Sequence, residues 1–336
     1  IVDAGRAVEK GEFYSSFEDK EKAPLGGDRV LTTRDYYAYL KVGEGCDNRC
    51  TYCSIPLIRG HFRSRTMEDI IAEAKDLEKL GVRELNLIAQ DTTRYGLDLY
   101  GEYKLAELVR RITAETRIPW IRLLYCYPDK ITDELISELR NNPRLVKYMD
   151  VPIQHISDDV LKRMNRHGDG QAIKDAVKRL REGVPGITLR TTAMVGFPGE
   201  TEKDFEELCA FIKEAKFDNF GAFTFSPEEG TPAGTMEGQI DEQVKQDRYD
   251  TLMETQLQVS LALQQKKIGK EITVLSEGYD TAAGIHFGRS EANAPDVDGK
   301  IYFRYKKRIA PGTFVRVKIE EALDYDLVGT CVEILK

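Results

Sequence analysis

The stretch Gly45-Cys46-Asp47-Asn48-Arg49-Cys50-Thr51-Tyr52-Cys53-Ser54-Ile55-Pro56 carries three cysteines in a C-x3-C-x2-C run. Three thiols this close on a short loop are poor core fillers. Immediately before them, the aromatic, β-prone run from Tyr36 to Val42 reads as a strand. The loop therefore leaves a strand's carboxyl end, the place where α/β folds collect their chemistry.

A cubane iron–sulfur cluster normally takes one cysteine thiolate on each iron. A triad leaves one iron open to chelate a small molecule carrying an amine and a carboxylate, and S-adenosylmethionine is such a molecule. The cluster can then pass one electron to the sulfonium and release a carbon radical, while the protein supplies position and shielding. The rival reading is a zinc knuckle in which His61 joins Cys46, Cys50 and Cys53. Zinc sites more often pair two close cysteines with a second, distant pair. A disulfide framework suits three clustered and three scattered cysteines poorly.

The chain has 336 residues, which suggests a large α/β domain plus a second module. Its 41% hydrophobic and 32% charged residues are ordinary for a globular, soluble protein. A net charge of −8 and a pI near 5.3 argue against a nonspecific nucleic-acid binder but leave room for a local basic patch. No apolar run approaches membrane-span length and no signal peptide opens the chain. The six cysteines read as cytosolic thiols and metal ligands, so a cytoplasmic location is expected. The chain begins Ile1-Val2-Asp3-Ala4 and is expected to be a piece of a longer protein.

Residues 1–34 read as a linker or wrapping segment. After the cysteine loop comes the basic run from Arg59 to Arg65. Thr66 then caps a helix, with Asp69 placed as in a capping box. Ile70, Ile71, Ala74, Leu77 and Leu80 fall at helical spacing before Gly81. Further strands are read at 84–89, 118–126, 147–153, 187–195 and 219–225. Helices are read at 105–112, 132–140, 157–165, 170–182 and 201–215. Six strands alternating with helices give an α/β fold with a parallel sheet, an open partial (β/α)6 barrel spanning 35–239.

The strand ends carry the unusual residues: Gln90-Asp91-Thr92-Thr93, Tyr125-Cys126-Tyr127-Pro128, Gln154-His155, Gly196-Phe197-Pro198-Gly199-Glu200 and Ser226-Pro227-Glu228. Each has a plain structural reading. Gly196 and Gly199 read as turn residues, His155 as a satisfied buried histidine and Met194 as core. Their convergence at one barrel mouth beside the cysteines favours the functional reading. Residues 240–268 read as a connecting helix, with Ile240, Val244, Leu252, Val259 and Leu263 at rough helical spacing. From 269 to 336 short strands punctuated by glycines suggest a small all-β barrel of the oligonucleotide-binding type. Its 10 Lys and Arg against 11 Asp and Glu make no obvious nucleic-acid surface.

The run from Glu44 to Arg65, with its Ile55-Pro56 and Arg59-Gly60 pairs, resembles the cluster loop of the methylthiotransferases, a subfamily of the radical S-adenosylmethionine (SAM) superfamily. The resemblance extends over nearly the whole chain, and the C-terminal barrel resembles that family's TRAM domain. Leu87-Ile88-Ala89-Gln90-Asp91-Thr92-Thr93, Asp150-Val151-Pro152-Ile153-Gln154-His155 and Ala294-Pro295-Asp296-Val297-Asp298-Gly299 look like one branch of it. That branch modifies an aspartate in the twelfth protein of the small ribosomal subunit.

The resemblance implies a [4Fe–4S] cluster on Cys46, Cys50 and Cys53 with S-adenosylmethionine at its open iron. It also implies cofactor contacts at Tyr52, Gln90, Asp91, Gln154, Arg190 and Gly196, although Arg190 reads equally as a buried strand-end ion pair. Members carry a second cluster on an N-terminal domain with three more cysteines. None precedes Cys46 here, and Cys126, Cys209 and Cys331 are scattered. The chain is therefore expected to lack that domain, to hold one cluster and to be doubtful for the full reaction. In that reaction, one S-adenosylmethionine methylates sulfur at the second cluster. Another is cleaved to a 5′-deoxyadenosyl radical that takes hydrogen from the aspartate β-carbon. The implied partners are the ribosomal protein, held by the C-terminal barrel, and an electron donor. A tRNA adenosine methylthiotransferase and a non-catalytic zinc- or RNA-binding module are the alternatives.

Overall fold

The computed structural model describes residues 2–15, 19–27 and 29–335. Six parallel strands form one open sheet in chain order. They are β1 (Tyr37–Lys41), β2 (Glu84–Ile88), β3 (Trp120–Leu123), β4 (Leu145–Asp150), β5 (Thr188–Val195) and β6 (Asn219–Thr224). Helices Met67–Lys79, Leu105–Glu115, Asp133–Asn141, Gly170–Gly183 and Glu202–Ala215 make the crossovers. The arrangement is the open (β/α)6 partial barrel expected from the alternation.

Register gives the sheet two unlike faces. Tyr37 pairs with Glu84 and Leu40 with Leu87. Glu84 pairs with Trp120, and Asp150 with Arg190. On one face Ala38, Leu40, Leu85, Leu87, Ile121, Leu123, Met149 and Leu189 pack with the helices' apolar stripes, among them Ile70, Leu108, Leu139, Leu180 and Leu208. The other face presents Tyr37, Glu84, Arg122, Tyr148, Asp150 and Arg190. Parallel sheets covered on both sides are usually apolar on both. A face this polar needs partners, and the C-terminal unit supplies them at one end.

That unit is a closed five-stranded barrel of β7 (Glu271–Asp280), β8 (Ile285–Ser290), β9 (Ile301–Arg304), β10 (Phe314–Ala322) and β11 (Leu327–Ile334). Val274, Phe303, Val315, Val317 and Ile319 fill its core. Residues 289–298, from the end of β8 into the loop beyond, floor the polar face of the six-stranded sheet. Tyr37 and Tyr148 donate to Asp296 and Asp298 at 3.0 and 2.7 Å. Asn219 donates to the Ala292 carbonyl at 2.8 Å, and Trp120 meets Phe314 edge-on at 4.8 Å between centroids.

Glu84 is the centre of this docking. One carboxylate oxygen accepts from Arg122 Nε at 2.8 Å and the other from Arg289 Nη2 at 2.6 Å. Arg289 also reaches Glu277 at 2.7 Å. Burial opposes the Glu84 charge, but the Arg289 and Arg122 guanidiniums override it and hold the carboxyl below the usual glutamate range. The resulting stability is complete above the ordinary glutamate pKa. It is lost as pH falls through the lowered one.

Three local expectations are corrected. The N-terminal segment, read as a linker, contains the helix Val2–Glu9. Thr66 accepts from the Asp69 N–H at 3.3 Å, but the Asp69 carboxylate turns to Arg65 instead of closing the box. The connecting helix runs Glu242–Gln265, yet its buried positions are Lys245, Arg248, Leu252, Gln256, Ser260 and Gln264. Of the apolar residues expected to pack, only Leu252 is fully buried. The helix docks by hydrogen bonds instead, Gln256 to the Phe217 carbonyl, Ser260 to that of Asp324 and Gln264 to that of Tyr325. Among the described residues no helix is long and apolar enough to cross a membrane.

Glu84→Gln leaves Arg122 buried with no carboxylate and Arg289 with Glu277 alone. It is expected to cost about 3–5 kcal/mol in urea unfolding. Glu320→Gln, which removes an exposed pairing with Arg304, should move the midpoint little.

Candidate active site

The cysteine loop leaves β1 and returns through a two-residue ladder in which Gly43 and Glu44 pair with Ser64 and Arg63. The Cys46 N–H donates to the Gly60 carbonyl at 3.2 Å. Gly45 begins the loop at φ 82°, and a Cβ there would stand 2.1 Å from the His61 carbonyl oxygen. Only glycine allows this approach. Thr51 fastens the middle of the loop, its N–H to the Met164 carbonyl at 3.0 Å and its hydroxyl to that of Arg163 at 2.8 Å.

A buried network holds the loop from behind. Asn48 Nδ2 donates to Asp91 Oδ2 at 2.8 Å. Lys130 Nζ donates to Asn48 Oδ1 at 2.7 Å and to Asp91 Oδ2 at 2.8 Å. Thr93 donates to Asp91 Oδ1 at 2.7 Å and accepts from the Tyr127 N–H at 2.9 Å. The ends of β2 and β3 are thus joined to the loop that carries the thiols.

Cys46, Cys50 and Cys53 line one cavity of about 190 Å3 with Tyr52, Gln90, Tyr125, Cys126, Tyr127, Gln154 and Arg166. The same three cysteines also wall an outward cleft of about 430 Å3 beside Lys20, Arg49, Leu57 and His61. Gln90 is oriented by Glu44, to which its Nε2 donates at 3.0 Å. Tyr52 meets Phe197 edge-on at 6.4 Å. Tyr125 and Gln154 hold φ of 59° and 69°, uncommon values for residues with a Cβ. Gln154 is fixed there by bridging Ala193 of β5.

The six expected cofactor contacts therefore divide. Tyr52, Gln90 and Gln154 reach the cavity wall. Asp91 stands behind the loop with both oxygens engaged. Arg190 donates to Asp150 at 2.9 Å and approaches Asp298 at 3.4 Å, the ion-pair arrangement that its sequence position equally suggested. The Gly196 N–H donates to Glu200 at 2.8 Å, and a Cβ at Gly196 would strike the buried Lys245 stem at 2.3 Å. Burial pushes the Glu200 carboxyl up to about 7 against the pull of Arg248, and burial lowers His155 to about 4. His155 Nδ1 accepts from the Ser157 N–H at 3.0 Å, leaving the ring proton on Nε2.

Cys126 and Tyr127 enter the sequence reading only within the strand-end run Tyr125–Pro128, and Lys130 and Arg166 do not enter it as site residues. Tyr127 sits with its hydroxyl 3.5 Å from Cys50 Sγ. Arg166 Nη1 lies 4.0 Å from the same sulfur, and its Nη2 is tied to the Pro152 carbonyl at 2.6 Å. The Tyr-Cys-Tyr-Pro run at the end of β3 was the available signal for the first two. Nothing in the sequence joined Arg166 to the loop.

The donor set suits an iron–sulfur cluster. Three thiols share one cavity wall, the Tyr127 hydroxyl and Arg166 Nη1 stand at Cys50, and a close-fitting glycine turn shapes the loop. Among the described residues no three His, Cys, Asp or Glu side chains converge on a single-ion site. His61 directs Nδ1 to Asp47 at 2.8 Å.

Comparison with known proteins bears on the family and the fold. Residues 40–212 match the radical SAM superfamily model and residues 268–332 the TRAM domain model. The chain is 48% identical over 330 residues to a protein of Caldanaerobacter subterraneus subsp. tengcongensis named ribosomal protein uS12 methylthiotransferase RimO, covering 98% of this chain and 75% of that one. It is 52% identical over 302 residues to the protein of that name from Desulforamulus reducens, covering 90% and 68%. Among solved structures, Escherichia coli coproporphyrinogen III oxidase (HemN), a radical SAM enzyme, superposes at TM-score 0.51 and 13% identity over 84% of this chain and 66% of its own. At that identity the likeness shows the fold alone.

Burial pushes the Cys46 and Cys53 thiols above the ordinary range. In metal-free protein both should alkylate slowly with iodoacetamide near neutral pH, and the rate should keep rising above the usual thiol pKa. Peptide mass spectrometry of pH-stepped samples measures this. Rapid labelling of both at pH 7 would contradict it.

Proposed function

The chain belongs to the ribosomal protein uS12 methylthiotransferase family of the radical SAM superfamily, and from that membership we propose its reaction and the residues that serve it. The enzyme is a radical SAM methylthiotransferase whose substrate is uS12. It places a methylthio group on the β-carbon of an aspartate in that protein. The observation that carries the assignment of residues is the convergence of three cysteines, Tyr52, Gln90 and Gln154 on one cavity at the carboxyl ends of the strands.

When bound, a [4Fe–4S] cluster supplies the electron that cleaves S-adenosylmethionine and so gives access to an unactivated C–H bond. Cys46, Cys50 and Cys53 hold that cluster. Gln90, oriented by Glu44, and Gln154, set by its bridge to β5, offer amide groups to the polar ends of S-adenosylmethionine. Tyr52, packed on Phe197, closes the apolar side. No side-chain base removes a hydrogen from such a carbon near neutral pH, so these residues serve to orient the reactants and exclude water.

One cluster is assigned to this stretch of chain. Its other cysteines are Cys126 at the cavity, Cys209 on the helix Glu202–Ala215 and Cys331 in β11, and they form no second triad. We place the uS12 contact on the C-terminal barrel and the neighbouring mouth of the sheet, where Tyr125 and Phe223 are 51% and 61% exposed. The outward cleft walled by the same thiols is the short path for the required electron donor. The tRNA and binding-module alternatives are not favoured.

Anaerobic reconstitution with iron and sulfide should load about four irons per chain. A strong reductant should then yield 5′-deoxyadenosine from S-adenosylmethionine, and Cys50→Ala should abolish both. Tightly bound zinc with no deoxyadenosine would sink the assignment.

A further inference from the structure

The three thiols do not have equal surroundings. The sulfurs of Cys46 and Cys53 face local backbone N–H groups, those of Asn48 and Ile55. Cys50 instead meets two side chains distant in sequence. The Tyr127 hydroxyl stands 3.5 Å from its sulfur and Arg166 Nη1 4.0 Å from it. Cys50 is also the most buried of the three.

Tyr127 is held with little freedom. Its N–H is bonded to Thr93, which is bonded to Asp91, which takes Lys130 and Asn48 of the cysteine loop. Lys130 Nζ and the Arg166 guanidinium lie 4.1 and 4.0 Å from the Tyr127 ring centroid, within cation–π range. The phenol is thus fixed through its backbone and its ring, and its oxygen is presented to Cys50. Packing alone would be met by phenylalanine. The feature that phenylalanine lacks is the hydroxyl on sulfur.

We propose that Tyr127 is a positioning residue for the cluster's electronics. Its O–H donates to the Cys50 thiolate and raises the reduction potential of a cluster bound there. The physical reason is charge. Reduction adds negative charge that spreads onto the ligating sulfurs, and a donor on sulfur stabilises the reduced state more than the oxidised one. The neighbouring cations act in the same sense. The inference rests on the assignment of the cluster to Cys46, Cys50 and Cys53.

The test is an EPR-monitored redox titration of the reconstituted chain and of Tyr127→Phe, with iron counted in both. Tyr127→Phe should hold the same iron and show a more negative midpoint. At a fixed solution potential its ratio of reduced to oxidised cluster should fall about three- to tenfold, tenfold being about 59 mV for one electron. An unchanged midpoint at equal iron content would overturn the proposal. Should Tyr127→Phe fail to load, 3,5-difluorotyrosine at position 127 keeps the ring and strengthens the donor, and it should move the midpoint the other way. No movement there is equally fatal. Absence of iron from the unaltered chain would instead remove the cluster assignment on which the inference stands.

Discussion

Asp91 is the carboxylate on which the geometry of the site depends. It is fully buried, and a carboxylate so placed is costly unless a cation and donors meet it. Lys130 supplies the charge, and Asn48 and Thr93 the donors. Asn48 belongs to the cysteine loop, Thr93 to the end of β2 and Lys130 to the turn after β3. Satisfying one buried charge therefore sets three segments relative to one another. Spacing alone would leave three thiols on a mobile loop. This network gives the loop one position, and the cavity takes its shape from that position.

The same device recurs deeper in the sheet. Glu84 lies between Arg122 and Arg289, and Arg190 between Asp150 and Asp298. Each set includes a residue of the C-terminal barrel or its loop, so the barrel is docked through charge as well as through the Trp120 and Phe314 contact. Buried ion pairs add little net stability compared with apolar packing, but breaking one is expensive. Their role here is better described as specificity: alternative dockings would take Arg289 from Glu84 and Arg190 from Asp298. Removal of the whole barrel would take Arg289 from Glu84, so surface substitutions on the barrel probe uS12 binding more cleanly than deletion.

Sequence made the periodic parts of this architecture legible. Alternation of strands and helices gave the open sheet, glycine-punctuated short strands gave the small barrel, and the cysteine spacing gave the loop. The packing of the helix Glu242–Gln265 was not legible, because its buried face is glutamine, serine, lysine and arginine. Burial there is earned by hydrogen bonds to carbonyls far along the chain, and hydrophobic periodicity is blind to such bonds. Arg166 is likewise 116 residues from Cys50. The family resemblance implied a cofactor contact at Asp91, a residue just past the end of β2. Strand-end position does not distinguish a side chain that faces the cavity from one that braces the loop behind it.

Burial and charge at the thiols bear on how the site would take up a cluster. Empty, the protonated thiols of Cys46 and Cys53 are neutral, and burial favours that form. Loading requires thiolates and releases protons, so it is coupled to pH and to the folded state. Cys50 marks the place where the loop is most enclosed. Arg166 and Lys130 are already there, anchored by Pro152 and Asp91, and neither must be recruited. A loop braced only by apolar contacts would meet the thiolates with low dielectric and no counter-charge. The cation-flanked phenol beside Cys50 would offset that cost without itself being a ligand, and three cysteines would leave one iron of a four-iron cluster without a protein thiolate.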